Sequence, residues 1–365
     1  MLNDQNFITS KFMKKSESEM KMDELELKYI RSLRKARKRC LYPNCEENAI
    51  SSHLLQKNGV LSKIAVAGKF IEYAPATPYK RDQFSLTGLT KNLMFTFKGF
   101  CSEHDNKIFY EIEIERCDFT ELRNQILTSY RALSNDVWAT GLVNNYFDKL
   151  LSDRNFSSES KSYYWKEKVR NLLRFKDLNH FKFLMEKELF VSPKNLTDSI
   201  FRFHRFELPN VQIATATAFG PAFYKDLNYK RIDSLDPFLE SYVPVSKPVF
   251  FNLIPQENST IFLIGYLKSN DLTNIIPVDK IDQFSENEIL RLISQCLIKT
   301  ETWGMSQAFF EKLKKSGKIN QYHQIRDKWL ANSIEFSNRI ISNNNHIPSN
   351  FNLFRIEGCE VLGKR

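Results

Sequence analysis

No apolar run in this 365-residue chain reaches the roughly 20 residues needed to cross a bilayer. The opening stretch, MLNDQNFITSKFMKKSESEMK, holds neither an apolar signal core nor a small-residue cleavage site. The expectation is a soluble, cytoplasmic protein with no membrane partner. Glycine and proline are sparse, 11 and 12 residues, whereas phenylalanine reaches 30, which argues against a linker-rich or disordered chain. There is no Walker loop, no dinucleotide fingerprint and no G-x-S-x-G elbow, so three common routes to catalysis have no foothold. Internal repeats and low-complexity blocks are absent too. Cysteine is scarce, with six residues, and only Cys40 and Cys45 are close in sequence. In a reducing compartment such a pair suggests metal before disulfide.

What remains is a chain with 42% hydrophobic residues, enough for a sizeable core, and a formal charge of +10. A basic balance favours phosphate-rich partners through counterion release. Its densest expression is the helical pattern over 19–38, where Met22, Leu25, Tyr29, Leu33 and Ala36 form one stripe. The second half carries Lys28, Arg31, Arg34, Lys35, Arg37, Lys38 and Arg39 with no acid among them. Such a face is either simply solvated or grips a nucleic-acid backbone, DNA or RNA.

Residues 40–115 differ in composition, with short apolar runs between turns. KIAVAGKFIEYA and NLMFTFKGF read as strands, and YEIEIE reads as a strand with Glu111, Glu113 and Glu115 facing solvent, or with Glu111 or Glu113 as an accessory metal ligand. Helices are expected from about Phe119, with Thr120 as N-cap, to Leu151, and on to about Phe190 with a break near Asp177. Beyond that, KPVFFNLIPQENSTIFLIGYLKS reads as a hairpin turning at Gln256–Ser259. Ser285 and Glu288 read as a capping box. FRFHRFELP is a basic-aromatic alternation whose simplest reading is a strand with phenylalanines inward, base stacking being the other. Trp138, Trp165, Trp303 and Trp329 read as core on helices, and Cys117, Cys296 and Cys359 as buried thiols. The expected division is a polar N-terminus over 1–18, a basic helix plus metal module over 19–115, and a mixed domain over 116–365. The fold class is α+β.

Two turn-borne ligand pairs stand out. Cys40 and Cys45 flank LYPN, and Cys101 and His104 flank SE just after Gly99. Two such knuckles can clamp one tetrahedral Zn²⁺ with three thiolates and an imidazole, closing a module poor in aliphatic residues.

The order of first knuckle, histidine in SSHLLQK, and second knuckle opening a helix in CSEHDNKIF resembles the HNH endonucleases, the treble-clef ββα-metal group, over residues 36–112. The resemblance implies metal-dependent cleavage of nucleic acid, with His53 as general base and Asp105 and Asn106 positioning Mg²⁺ or Mn²⁺. Where the family carries an acidic or histidine ligand before that histidine, this chain has Ser52, and its segment from His53 to Cys101 is longer than usual. Asn92 would stand for the asparagine often found between them. Intracellular nucleases with such a module and a large appendage are often parts of bacterial anti-phage or mobile-element systems, so the resemblance implies such a role here, with a partner protein of a multi-component system. The alternative is a zinc-stabilised subunit, without catalysis, that binds nucleic acid or protein.

Overall fold

The computed structural model describes residues 24–25, 28–29, 32–73, 84–89, 95–114, 117–191, 198–219, 236–239, 242, 244, 248–269, 280–300, 302–335, 347–348, 350–356 and 359–360. Arg31 and Asn92 lie outside them.

The centre is a seven-stranded antiparallel sheet. Its strands are β2 (Lys69–Tyr73), β3 (Phe84–Gly88), β5 (Phe201–Pro209), β6 (Ile213–Phe219), β7 (Val249–Pro255), β8 (Ser259–Leu267) and β9 (Trp303–Met305), in the order β3-β2-β9-β6-β7-β8-β5. The hairpin β7–β8 turns at the expected place, with Gln256 N–H donating to Ser259 O at 2.8 Å. The middle strands IATATAF, VFFNLIP and STIFLIGYL are buried on both faces, which is why they read as near-continuous apolar runs.

Side-chain alternation sorts these strands into two packing layers. From β6, Ile213 and Phe219 join one apolar cluster, together with Phe251, Leu253, Phe262 and Ile264. That cluster is completed by the helices α4 (Glu286–Lys299), α5 (Gln307–Lys315) and α6 (Lys318–Glu335), and by Phe351 and Leu353. The small residues Ala214, Ala216 and Ala218 point to the other side. There the 31-residue helix α2 (Leu122–Ser152) lies close against the sheet. Helix α3 (Ser158–Glu186) packs along α2.

A second, two-stranded sheet is formed by β1 (Ser52–His53) and β4 (Thr96–Phe97), with Ser52 opposite Phe97 and His53 opposite Thr96. Helix α1 (Ser102–Glu113) follows β4 directly. A last hairpin pairs β10 (Arg355–Ile356) with β11 (Cys359–Glu360). The architecture is therefore mixed α+β with antiparallel sheets.

Several local expectations change. The 110–113 stretch is the last turn of α1 and not a strand: Glu111 accepts from Arg123 Nε at 2.8 Å and Glu113 meets Arg131, both on α2, while Glu115 lies outside the described residues. Helix α3 runs unbroken through Asp177, whose carboxylate accepts the Tyr242 hydroxyl at 2.6 Å. The interruption between α2 and α3 falls at 153–157, close to the expected helix end at Leu151, and Ser157 caps α3 by accepting from Ser160 N–H. Glu121, not Thr120, precedes α2, and Thr120 donates to Asp118 instead. Trp303 sits on a strand, and Trp165 on α3 is 48% exposed, outside the core. The strand β2, expected within the metal module, belongs to the main sheet, where it pairs with β9 and with β3, a strand the sequence did not announce. Ser285 and Glu288 form the capping box expected of them.

Candidate metal centre

The two knuckles meet. The first is a tight hairpin: Arg39 bridges Asn48, Cys40 N–H donates to Glu47 O at 2.8 Å, and Asn44 takes a φ of 59° that turns the chain back. The left-handed region is open to asparagine at little cost. The second knuckle is the entry to α1, where Cys101 is the N-cap and Asp105 N–H donates to its carbonyl at 2.9 Å. Gly99 precedes it because a Cβ there would lie 2.1 Å from the buried Phe97 ring. Leu41 N–H donates to Gly99 O at 2.7 Å and Ile50 N–H to Phe100 O at 2.8 Å, so backbone bonds on both sides of the first knuckle seat it on the second.

The donor atoms of Cys40, Cys45, Cys101 and His104 all lie within 4.8 Å of one another, and this is the group among the described residues that could hold a metal ion. Cys45 Sγ is 4.0 Å from Cys101 Sγ, Cys40 Sγ 3.7 Å from His104 Nδ1, and Cys101 Sγ 3.1 Å from the same nitrogen. The cysteines are free thiols. A disulfide would need roughly 2.05 Å between sulfurs. Burial pushes the Cys40 thiol up to about 11, so a cation in the cluster is what would favour its thiolate at neutral pH.

A supporting shell surrounds the cluster. The Tyr42 ring stacks on His104 at 4.0 Å. Lys182 on α3 donates to Leu41 O at 2.6 Å and pairs with Glu186, which also accepts from Tyr130 at 2.7 Å. These three ionisable or polar side chains are buried; Lys182 and Glu186 are an i, i+4 pair on α3, but the contacts to Tyr130 and Leu41 span 56 and 141 residues and left no sign in the sequence. They tie the first knuckle to α2 and α3.

His53 stands on β1, half-buried, and Asp105 stands in the first turn of α1. Burial, with Arg131 next in weight, holds the His53 imidazolium down below its usual 6.5, whereas Asp105 acts in the opposite sense. Burial raises the Asp105 carboxyl, opposed by Arg131 and by the Ser52 hydroxyl, which faces it without meeting hydrogen-bond geometry. Asn106 is exposed, one residue along α1. Arg131, which the sequence reading passed over, reaches in from α2: its Nη2 is 2.6 Å from Glu113 and 3.6 Å from Asp105, and its guanidinium lies 4.1 Å over the Phe109 ring.

The basic segment is helical where described, at 24–25, 28–29 and 32–35. Lys35, Arg37 and Arg39 are exposed, Lys38 is half-buried, and Arg34 packs 5.9 Å over the Trp138 ring. Lys98 donates to the carbonyls of Lys35 and Ala36 at 3.0 and 2.9 Å, closing the helix end against the module. In FRFHRFELP, Phe201 is buried, and so is His204, which bridges Asp282 at 2.7 Å and Tyr266 at 3.1 Å. No helix among the described residues is long and apolar enough to cross a membrane. Comparison with protein-family models, with curated proteins and with solved structures found no match.

Proposed function

We propose that this chain is a zinc-stapled nucleic-acid hydrolase of HNH type, with His53 as general base. The observation that carries the reading is the juxtaposition of the β1–β4 pair with α1: β1 presents His53, and the helix that follows β4 begins with two candidate metal ligands and bears Asp105. Three thiols and an imidazole are the donor set of a closed, structural zinc site. Ligands roughly 2.3 Å from a tetrahedral ion lie roughly 3.8 Å apart, which matches the sulfur spacing here. Cys40, Cys45, Cys101 and His104 would hold that Zn²⁺ and thereby hold β1 against α1. An imidazole kept neutral near pH 7 suits proton abstraction from water attacking a phosphodiester. Lys35, Arg37 and Arg39 would contact the backbone of the nucleic acid.

One observation favours the non-catalytic alternative. Asp105, the carboxylate expected to position a divalent ion, is engaged by Arg131, and its neighbour on β1 is Ser52. Purified protein incubated with plasmid and with single-stranded substrates decides between the two. The hydrolase reading expects cleavage that falls by about 10²–10⁴ in His53→Ala while zinc content and fold are kept. Binding without cleavage in the presence of any divalent metal ion leaves the scaffold reading.

A further inference from the structure

Taking the His53–Asp105 neighbourhood as the chemical centre proposed above, we propose that Arg131 is its built-in cation and that no divalent ion is recruited to Asp105. Arg131 is 2% exposed, in a stretch of α2 where Tyr130, Ala132, Leu133 and Ser134 are fully buried. A guanidinium does not lose its proton in a protein, so this is a permanent positive charge inside the fold. Its surroundings are assembled from α1: Asp105, Phe109 and Glu113 fall at four-residue steps and form one stripe facing it. Tying α1 to α2 would not require this; an apolar pair, or one carboxylate, would do as well.

The donor set for a hard divalent ion does not fit this place. Asp105 Oδ1 is buried and has no hydrogen-bond partner, so an ion bound to it would enter the space that Arg131 Nη2 borders, 3.6 Å from the same oxygen. Such an ion wants several oxygen ligands at roughly 2.1 Å. Glu113 is already committed to Arg131 at 2.6 Å, Asn106 is exposed, and Ser52 brings a hydroxyl and no charge. Ser52 Oγ, Asp105 Oδ1 and Arg131 Nε are three buried polar atoms without hydrogen bonds in one neighbourhood, and Arg131 Nη2 beside them is held by its ion pair with Glu113. They offer guanidinium donors, a carboxylate acceptor and a hydroxyl that can do either, a set suited to a polar oxygen species such as water and poorly suited to a divalent cation.

The test is a Mn²⁺ titration of full-length, zinc-loaded protein, followed by electron paramagnetic resonance. The wild type and Asp105→Asn are expected to give the same curve. Arg131→Ser removes the competing charge and is expected to gain one Mn²⁺ bound at least about tenfold more tightly, lost again in Arg131→Ser/Asp105→Asn. A wild-type Mn²⁺ site that Asp105→Asn abolishes would overturn the proposal, as would cleavage that depends on added Mn²⁺ and on Asp105 together. If circular dichroism shows Arg131→Ser unfolded, Arg131→Gln takes its place, and the comparison of wild type with Asp105→Asn needs neither variant. Absence of cleavage with unchanged Mn²⁺ curves removes the hydrolase reading, and with it the chemical role of Arg131, and keeps only the exclusion of a divalent ion from Asp105.

Discussion

The knuckle region and the main sheet are held together by different physics. The sheet and its helices bury phenylalanines, isoleucines and leucines, with Trp303, Phe250 and Leu263 fully inaccessible, and the cluster on one face of the sheet contains none of the candidate ligands. Around the knuckles, strands β1 and β4 are two residues each, and the hairpin over 39–48 has little apolar content of its own. What it has is four convergent ligands and a buried Lys182–Glu186–Tyr130 network. The comparison teaches that the knuckle hairpin leans on ligation where the sheet leans on burial alone, while Leu54, Leu55, Phe95 and Phe97 beside His53 are buried as the sheet is. It can be broken by removing each support in turn.

The largest effect is expected from the metal. Chelation, or Cys101→Ser, should release zinc and open residues 39–55 and 95–113 to amide exchange, because apparent metal-binding free energies of about 10 kcal/mol or more become folding free energy in such modules. The β6–β8 strands should stay protected. Uniform loss of protection would show that the two regions are one cooperative unit. Trp303→Ala reverses the test: a cavity in the core should cost about 3–5 kcal/mol and lower the melting temperature while zinc stoichiometry stays at one per chain. Lys182→Met sits between the regions. It leaves Glu186 buried beside Tyr130 without its cation, and a loss of about 3–5 kcal/mol is expected, read as faster exchange in both the first knuckle and α3.

How much of this could be read beforehand also differs between the regions. The ligand set was legible because turn chemistry and ligand spacing are local: Pro43 and Asn44 make the first turn, and Gly99 admits the second. The hairpin at Gln256–Ser259 and the Ser285–Glu288 capping box were legible for the same reason. Arg131 was not, because a single arginine in a helical stretch carries no periodic signal, and its partners come from α1 through tertiary packing. YEIEIE misled because alternation over six residues fits a strand as well as it fits a helix end whose Glu111 and Glu113 face Arg123 and Arg131. The union of β2 and β3 with β9 joins positions more than 200 residues apart, a pairing that composition cannot announce.

Smaller effects sharpen the contrast. Ser285→Ala should remove one cap from α4 and cost about 1 kcal/mol, seen as a lower urea midpoint with an unchanged slope and no change in zinc content.

The smallest expected effect concerns pH and tests whether His53 belongs to the folded module at all. Burial, with the Arg131 charge, places its folded value below the unfolded 6.5. The folded state therefore binds protons less readily than the unfolded chain between those two values. The associated stability is present in full above pH 6.5 and is lost as pH falls through the folded value. His53→Gln should flatten that limb of the stability curve, and Trp303→Ala should shift the curve down without flattening it. If His53→Gln leaves the slope below pH 6.5 unchanged, the imidazole is not shielded beside Arg131, and the case for a neutral base poised on β1 falls with it.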